Sequence, residues 1–410
     1  MLSREDNDLL TRVEGDAPMG QLLRRHYWLP FLRAAKLKPN GPPERVRLLG
    51  ENFVAFRGDD NSVGFLDEAC PHRGASLLLA RNENCALTCI FHGWKINTQG
   101  KVVDVPNESN SPEEFAARVP VRSFPVREAG GLLWVWLGAE GEPPPFPDFE
   151  FTKVREDQLF VSYTPVQCNW LQGVDATVDS AHVGILHQSW VATIAGNSQA
   201  LISANLAPRY EVQDRDYGIR AVALRDQADG SCYARIGEFV APFFMFIGTS
   251  NSAAGERTLF INVPVDDHNC FLVLLRYTIE GKGPLTTGPG SAWDPEKADL
   301  DNFASVSADG WLRWGQNRNA MDEGHFTGFD GNLLSEDVAV QVSMGPIVDR
   351  TKEFLSTSDV GIVRARRMLL KTVRDFQAGK PPRSDIQYGA IRADAILLPP
   401  GEKWQDRMPR

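Results

Sequence analysis

Two short segments of the chain each carry one cysteine and one histidine, a pairing typical of a metal site. The first reads CPH and contains Cys70 and His72, and the second, after sixteen intervening residues, reads CIFH and contains Cys89 and His92. Such a set can hold a 2Fe-2S cluster, with the two thiolates on one iron and the two imidazoles on the other. A glycine soon after each histidine lets backbone amides approach the cluster sulfurs. The sequence therefore predicts one 2Fe-2S cluster bound by these four residues.

Structural zinc is the main alternative for this site, because it uses the same residue types. Zinc fingers, however, favour two cysteines in one loop and two histidines in the other, whereas here each loop offers one of each. Four further cysteines lie outside the pattern, and we interpret them as core thiols without chemistry: Cys85, Cys168, Cys232 and Cys270.

A second candidate site lies in the segment NWLQGVDATVDSAHVGILH, which ends at His187. Asp175, Asp179, His182 and His187 follow one another at spacings of four, three and five residues, so the first three share one face of a helix. His187 reaches the same centre only if the helix bulges or unwinds near Gly184. Two imidazoles and one carboxylate bind ferrous iron and leave positions open for dioxygen and substrate. The carboxylate could be Asp175, Asp179 or a distant acid, and spacing does not choose among them.

The elements around these sites indicate an α+β chain. Residues 1–26 are predicted as an N-terminal helix, and short β segments broken by turns predict an all-β domain over 27–140. The proline-rich run at 141–150 cannot continue a sheet interior, because proline lacks an amide donor, so it is interpreted as a connection. A second domain with an antiparallel sheet and helices is predicted over 151–379, and 380–410 is predicted as a surface tail.

Periodicity within the second domain predicts individual elements. Strands are expected at 159–167, 208–224, 231–248, 257–265 and 269–279. Helices are expected near 171–187, 334–343 and 350–378.

Charge and hydropathy exclude some classes of partner. A formal net charge of −10 argues against binding of nucleic acid or of an anionic membrane surface. The N-terminus lacks the apolar core of a signal peptide, and no stretch approaches the ~20 apolar residues of a membrane span. We therefore expect a cytoplasmic protein.

The motifs assembled above resemble the family of Rieske non-haem iron aromatic ring-hydroxylating oxygenases, over essentially the whole chain. The strings QNRNAMDEGHFTGFDG and SEDVAVQVSMGPIVDRTKEFLSTSD resemble its branch of phthalate-dioxygenase-like enzymes and aromatic O-demethylases. The resemblance implies an all-β Rieske domain followed by a helix-grip (START-like) catalytic domain built on an antiparallel sheet.

The resemblance also implies roles for particular acids. The third iron ligand in the family is an aspartate on a late helix, which corresponds to Asp337 here, with its neighbour Glu336 ranked second. Asp179 resembles the family's bridging carboxylate, which connects the cluster histidine of one subunit to the iron histidine of the next. The role of Asp175 is left open. Family members are head-to-tail trimers, so a homotrimer or a hexamer of stacked trimers is expected.

The resemblance implies a terminal oxygenase that activates O2 at a mononuclear Fe(2+) and hydroxylates or O-demethylates an aromatic acid, in the catabolism of aromatic compounds. The chain has no G-x-G-x-x-G unit and no second cysteine cluster, so a separate NAD(P)H-dependent reductase with flavin and iron–sulfur groups is expected. An aromatic carboxylate needs an arginine in an apolar pocket. Arg209 and Arg257, at predicted strand starts, are the candidates.

Two hypotheses from other classes compete with this one. A Rieske electron-transfer protein without oxygenase activity predicts no second metal site, whereas His182 and His187 favour one. A zinc-stabilised binding protein of START-like shape predicts a colourless preparation.

Overall fold

The computed structural model describes residues 2–191, 198–249, 252–279, 281–283, 285 and 298–408. The chain divides into a smaller unit, Val13–Pro147, and a larger unit made of Met1–Arg12 and Asp148–Arg410. The smaller unit is mainly β and the larger combines an antiparallel sheet with helices, so the predicted α+β class is confirmed. No helix in the part of the chain that the structure describes has the length and apolar character needed to cross a bilayer.

The N-terminal segment contains two helices, α1 (Arg4–Thr11) and α2 (Pro18–His26), where the sequence predicted one. Helix α1 ends because Arg12 adopts an extended backbone, and Gly15 then takes a positive φ of 56°. Pro18 starts α2 at a position where its missing amide hydrogen costs nothing. The prediction of a continuous N-terminal helix was therefore wrong.

The smaller unit contains one further helix, α3 (Pro112–Arg118), and ten short strands. The strands are β1 (Leu29–Arg33), β2 (Glu44–Leu48), β3 (Glu51–Arg57), β4 (Val63–Asp67), β5 (Arg81–Glu83), β6 (Ala86–Thr88), β7 (Lys95–Asn97), β8 (Val102–Asp104), β9 (Val126–Ala129) and β10 (Leu132–Val135). They form three antiparallel sheets in the orders β1-β10-β9, β2-β3-β4 and β5-β6-β7-β8. The buried side chains of Leu87 and Ile96, on β6 and β7, pack in one cluster with Cys70 and Cys89.

The larger unit is built on one antiparallel sheet. Its strands are β11 (Leu159–Val166), β12 (Arg209–Arg215), β13 (Gly218–Asp226), β14 (Cys232–Val240), β15 (Phe244–Ile247), β16 (Glu256–Pro264), β17 (Cys270–Thr278) and β18 (Asp394–Leu398). They follow the order β11-β17-β16-β15-β14-β13-β12, and β18 pairs with β14. Its helices beyond α1 are α4 (Trp170–Val178), α5 (Gln188–Val191), α6 (Ser198–Ser203), α7 (Arg318–Asp322), α8 (Leu333–Ser343) and α9 (Val360–Gln377).

The predicted strands of this unit lie within two residues of the observed ones, apart from the turns that divide 208–224 and 231–248. Helix α8 begins and ends within a residue of its prediction. Helix α9 begins ten residues later than predicted, because Arg350–Lys352 and Thr357–Asp359 form separate 3₁₀ turns. The sheet and α8 thus follow the sequence pattern closely.

The last residues of the chain belong partly to the core of the larger unit. Strand β18 pairs antiparallel with β14, with Leu398 opposite Cys232. Leu398, Trp404 and Met408 are buried in a cluster with Val222 of β13. The prediction of 380–410 as a surface tail was therefore wrong for β18, Trp404 and Met408, because β18 joins the sheet and these apolar side chains pack against it.

Candidate metal centres and the cavity beside them

The two cysteine–histidine loops of the smaller unit share one backbone conformation. The amide of Gly74 donates to the carbonyl of Cys70 at 2.9 Å, and the amide of Gly93 donates to the carbonyl of Cys89 at 2.9 Å. Both glycines have positive φ values, 75° and 77°, which residues with a Cβ rarely adopt. The matching turns therefore hold one cysteine and one histidine each in equivalent positions.

The four predicted ligands come together and fit a 2Fe-2S cluster. The imidazole rings of His72 and His92 are 4.5 Å apart between centroids, and the buried Cys70 and Cys89 thiols are adjacent. Burial, reinforced by the neighbouring Cys89 thiol, raises the pKa of Cys70 to about 11. Within the described part of the chain, no hydrogen-bond partner lies within reach of the buried Nδ1 of His92. An iron ligand role accounts for that nitrogen, because a buried polar atom without a partner is costly.

The loops also carry aromatic side chains around the cluster site. The indole of Trp94 stacks on the imidazole of His72 with centroids 4.5 Å apart and planes within 10°, and its Nε1 donates to Asn107 at 2.7 Å. Ile90 and Phe91 are exposed at 62% and 55%. The cluster site thus lies beside an apolar surface of the smaller unit.

The segment that carries the second site departs from the predicted helix. Helix α4 ends at Val178, because Asp179 adopts an extended backbone and its side chain accepts hydrogen bonds from the amides of Ala181 (2.7 Å) and His182 (3.3 Å). His182 then begins a 3₁₀ turn that ends at Gly184. A break in the helix was predicted near Gly184, but the helix already ends at Val178. The prediction that Asp175, Asp179 and His182 share one helix face was therefore wrong.

His182 and His187 converge with Asp337 from helix α8. The Nε2 atoms of His182 and His187 lie 3.6 and 3.3 Å from Asp337 Oδ1, and a set of ligand atoms from the three residues falls within 4.8 Å. Burial alone would raise the pKa of Asp337, but His187 and His182 hold it below its ordinary value. Two imidazole nitrogens and one carboxylate in this arrangement fit the facial triad of non-haem iron. The structure thus brings together the three residues that the resemblance indicated.

Each imidazole has a carboxylate on its other nitrogen. His182 Nδ1 lies 3.1 Å from Asp179 Oδ2, and His187 Nδ1 lies 2.6 Å from Glu336 Oε2. Burial would lower the pKa of His187, but Asp337 and Glu336 raise it to about 9. Glu336, the second choice for the third ligand, therefore faces the nitrogen of His187 that points away from Asp337.

Asp175 lies away from the metal candidates. Its carboxylate accepts from Arg350 at 2.8 and 3.1 Å and from Arg366 at 2.7 and 2.9 Å. Burial opposes ionisation, yet the two guanidinium groups hold the pKa of Asp175 below its ordinary value. Asp175, whose role the sequence left open, therefore forms ion pairs with the buried side chains of Arg350 and Arg366.

A cavity of about 190 Å³ opens beside His182, His187 and Asp337. Much of its wall is apolar, from Val183, Ile202, Ile247, Phe260, Leu272 and Leu274. Two arginines, Arg235 of β14 and Arg276 of β17, also line it. Arg276 pairs with Glu256 at 2.9 Å. Arg235 donates to the carbonyl of Gly248 and to Ser180 Oγ, both at 3.0 Å.

Neither arginine that the sequence singled out for substrate lines this cavity. The side chain of Arg209 is 59% exposed and pairs with Glu211 at 3.2 Å. Arg257 donates to the carbonyls of Ser252 at 2.7 Å and Glu256 at 3.1 Å. Both assignments are therefore corrected, because side chains alternate between the two faces of the sheet. Arg257 adjoins Thr258, which lines the cavity, and Arg209 adjoins Tyr210, which shares a register line with Arg235.

Sequence reasoning missed Arg235 and Arg276, although a signal was present. Each is a charged residue inside a strand whose other residues are mostly apolar, CYARIGEFV in β14 and CFLVLLRYT in β17. A charge in such a strand is costly to bury without a partner or a function. Arginines in the middle of apolar strands were thus better candidates than arginines at strand starts.

Two family models match this chain. Residues 27–125 match the Rieske [2Fe-2S] domain family, and residues 135–396 match the family described as LigXa C-terminal domain like. The oxygenase subunit of phthalate 4,5-dioxygenase from Pseudomonas putida is 37% identical, over 93% of this chain and 88% of the relative. That of 3-chlorobenzoate-3,4-dioxygenase from Comamonas testosteroni is 32% identical, over 99% and 97%.

A solved structure shows the same fold at lower identity. The terminal oxygenase of carbazole 1,9a-dioxygenase from Nocardioides aromaticivorans IC177 superposes with a TM-score of 0.59 at 18% identity, covering 87% of this chain and 96% of that one. The matches extend over both units, which excludes a protein that only carries electrons on a Rieske domain. The chain belongs to the Rieske non-haem iron oxygenases, as the oxygenase subunit of a dioxygenase or monooxygenase system with a 2Fe-2S cluster and a mononuclear iron.

Proposed function

We propose that this oxygenase subunit acts on an aromatic carboxylate, which Arg235 binds in the cavity beside the mononuclear iron. The observation that carries the proposal is the position of Arg235 on a wall shared with His182, His187 and Asp337. Among the described residues, no carboxylate lies within ion-pair distance of Arg235, whereas Arg276 is neutralised by Glu256. A guanidinium that makes no direct ion pair is suited to bind a ligand carboxylate.

Relatives named for phthalate, 3-chlorobenzoate and phenoxybenzoate support an aromatic acid as the substrate class. The carboxylate would accept hydrogen bonds from Arg235, and the ring would pack against apolar residues such as Phe260 and Leu272. These walls exclude water and orient the ring toward the metal candidates. The reaction is ring hydroxylation or, where the substrate carries a methoxy group, O-demethylation.

The proposed metal ligands are the four cysteine and histidine residues of the smaller unit for the cluster, and His182, His187 and Asp337 for iron. When bound, the iron supplies the activation of O2 with electrons that the cluster delivers. The chain's own contribution is to fix the imidazoles: Asp179 accepts from His182 Nδ1, so Nε2 keeps its lone pair for the metal. Asp179 is proposed as the bridging carboxylate toward a cluster histidine of the next subunit.

The two proposed partners are an electron donor for the cluster and further copies of the same chain. We propose that a separate NAD(P)H-dependent reductase with flavin and iron–sulfur groups reduces the cluster. We propose the cytoplasm as the location of both proteins. The assembly is proposed to be a homotrimer, alone or stacked as a hexamer, in which the exposed Ile90 and Phe91 are covered by the next subunit.

Substrate-dependent oxygen uptake with the reduced enzyme tests the role of Arg235. The substrates are a panel of substituted benzoates and their neutral amide or methyl analogues. Loss of a charged hydrogen bond predicts that Arg235→Gln raises KM for the benzoates by about 10- to 100-fold. The neutral analogues should be poor substrates of the parent enzyme and change little in the variant. Formaldehyde among the products identifies O-demethylation, and dihydrodiols or phenols identify ring hydroxylation.

Arg209→Gln is the matched control, because this exposed arginine lies outside the cavity. Its KM values should equal those of the parent. The proposal is wrong if Arg235→Gln leaves the KM for every benzoate unchanged, or if the parent turns over neutral analogues as well as the acids.

A further inference from the structure

The motif GHFTGF, residues 324–329, follows helix α7 and is held against the segment that carries His187. The amide of Phe326 donates to Ser189 Oγ at 2.8 Å, two positions after His187. Gln316 Nε2 donates to the carbonyl of Thr327 at 2.7 Å. The hydroxyl of Thr327 is therefore held at a defined position, next to the buried side of the metal site.

Thr327 and His187 bind opposite oxygens of one buried carboxylate. Thr327 Oγ1 donates to Glu336 Oε1 at 2.5 Å, and Glu336 Oε2 lies 2.6 Å from His187 Nδ1. The amide of Phe329 donates to the same threonine hydroxyl at 3.3 Å, so the hydroxyl proton is directed to Glu336. The side chain of Glu336 is 0% exposed and that of His187 is 6% exposed. Water therefore competes little for either hydrogen bond.

This chain of hydrogen bonds determines which nitrogen of His187 carries the proton. A carboxylate on Nδ1 favours the tautomer with hydrogen on Nδ1, which leaves the lone pair on Nε2. That Nε2 lies 3.3 Å from Asp337 Oδ1, on the side where the proposed ligands converge. The carboxylate also fixes the rotation of the ring, because its own position is held by Thr327.

We infer that Glu336 and Thr327 are positioning residues for the mononuclear iron and act through His187, an inference that rests on the proposed iron site. Glu336 accepts a hydrogen bond from Nδ1–H and strengthens Nε2 as a metal ligand, and Thr327 holds the carboxylate in place. Asp179 has the corresponding position on His182, but its side chain is 20% exposed and accessible to a partner. The Glu336 carboxylate is enclosed, so its function is internal to the site.

Affinity for ferrous iron tests this inference. The full chain with its cluster is titrated with Fe(II) alone against a chelator of known affinity, without oxygen. Loss of an outer carboxylate predicts that Glu336→Gln raises the Kd for Fe(II) by about 10- to 100-fold. Thr327→Val, which removes one hydrogen bond to that carboxylate, should raise it by about 2- to 10-fold.

Two buried residues of the same types serve as matched controls. Glu238 is 0% exposed and pairs with Arg220, and Thr164 accepts from the amide of Ala304. Neither is among the residues that line the cavity. Glu238→Gln and Thr164→Val should lower stability and leave the Fe(II) affinity at the parent value. The visible absorption of bound Co(II) should change in Glu336→Gln and Thr327→Val but in neither control.

The possible outcomes separate this inference from the proposed iron site. If Glu336→Gln and Thr327→Val bind Fe(II) as tightly as the parent, the positioning role is overturned while the iron site stands. If Glu336→Gln does not fold, Thr327→Val decides by the same criterion. If His182→Ala binds Fe(II) as tightly as the parent, the iron site itself is wrong.

Discussion

The two metal centres are built in different ways, one by local sequence and the other by the packing of distant segments. In the smaller unit all four candidate ligands lie between Cys70 and His92, in two turns that are each closed by a backbone hydrogen bond. In the larger unit the candidates come from the break after helix α4 and from the late helix α8. A local site is readable from spacing, whereas a packed site depends on every contact that holds its helices together.

Contacts between α4 and α8 show how the second centre is held. Gln172 of α4 donates to the carbonyls of Gln341 at 2.9 Å and Gly345 at 3.1 Å, at the end of α8. The side chain of Gln172 is buried, so water does not replace these bonds. The ion pairs of Asp175, three residues further along, also hold this helix. The geometry of the iron candidates is therefore a property of the whole unit.

The largest effect is expected from removing a local ligand. Cys89→Ser should abolish the visible absorption of the cluster, because a 2Fe-2S centre needs both thiolates on one iron. The larger unit should still bind about one Fe(II) per chain, since its ligands lie elsewhere. Absorption spectra and Fe(II) titration measure the two results on one preparation. Loss of both centres would contradict the independence of the two sites.

A smaller but substantial effect is expected where packing holds the second centre. Asp175→Asn should lower the free energy of unfolding by about 3 to 5 kcal/mol, because it removes the closest carboxylate of the buried Arg350 and Arg366 and leaves Glu353 alone to face both. The side chains of these arginines are 0% and 5% exposed. Urea unfolding followed by circular dichroism measures the loss. Asp214→Asn is the control, since its pair with Arg364 is exposed, and it should change stability by less than about 1 kcal/mol.

The same ion pair predicts a pH dependence. Because the pKa of Asp175 is lower in the folded chain, the pair stabilises the fold above the ordinary aspartate pKa, and this contribution is lost as pH falls through the lowered value. The difference in unfolding free energy between the parent and Asp175→Asn should therefore be full near pH 7 and shrink in acid. A difference that stays constant between pH 7 and the acid limit of folding would show that the ion pair is not its source.

The smallest effect is expected from a single methyl group in α4. A Cβ at Gly173 would lie 2.1 Å from Asn262 Oδ1 on β16, so Gly173→Ala must displace a buried side chain. Overpacking of this kind costs about 1 to 3 kcal/mol. Gly331→Ala, with no atom within 4 Å of its new Cβ, should stay within about 0.5 kcal/mol of the parent. Equal stability of the two variants would contradict the close packing of α4 on the sheet.

The difference between the two metal centres also explains what the sequence could predict. The cluster ligands and the two iron-site histidines follow from residue type and spacing, and the strands of the larger sheet follow from periodicity. Asp337 could not be chosen by spacing, because its proximity to His187 arises only from the packing of α8, and it needed the family resemblance. The end of α4 was missed because spacing placed Asp179 inside the helix. Its side chain instead accepts hydrogen bonds from the amides of Ala181 and His182, after the helix has ended.

The prediction of Arg209 and Arg257 as substrate-binding residues was wrong for a related reason. Arg209 and Arg257 were chosen from their places at strand starts, but orientation toward a cavity depends on which face of the sheet is covered. Arg235 and Arg276 lie inside strands, where a period of two directs a side chain to one face. Periodicity within a strand was therefore more informative than position at its end.

The most direct test of two separate metal centres is the iron and sulfide content of the purified chain and of Asp337→Ala, with absorption spectra recorded on both. The parent should be red-brown, with about three irons and about two acid-labile sulfides per chain. Asp337→Ala should keep the spectrum and the sulfide and fall to about two irons. An unchanged iron content in Asp337→Ala, or a colourless parent that contains zinc, would contradict the account.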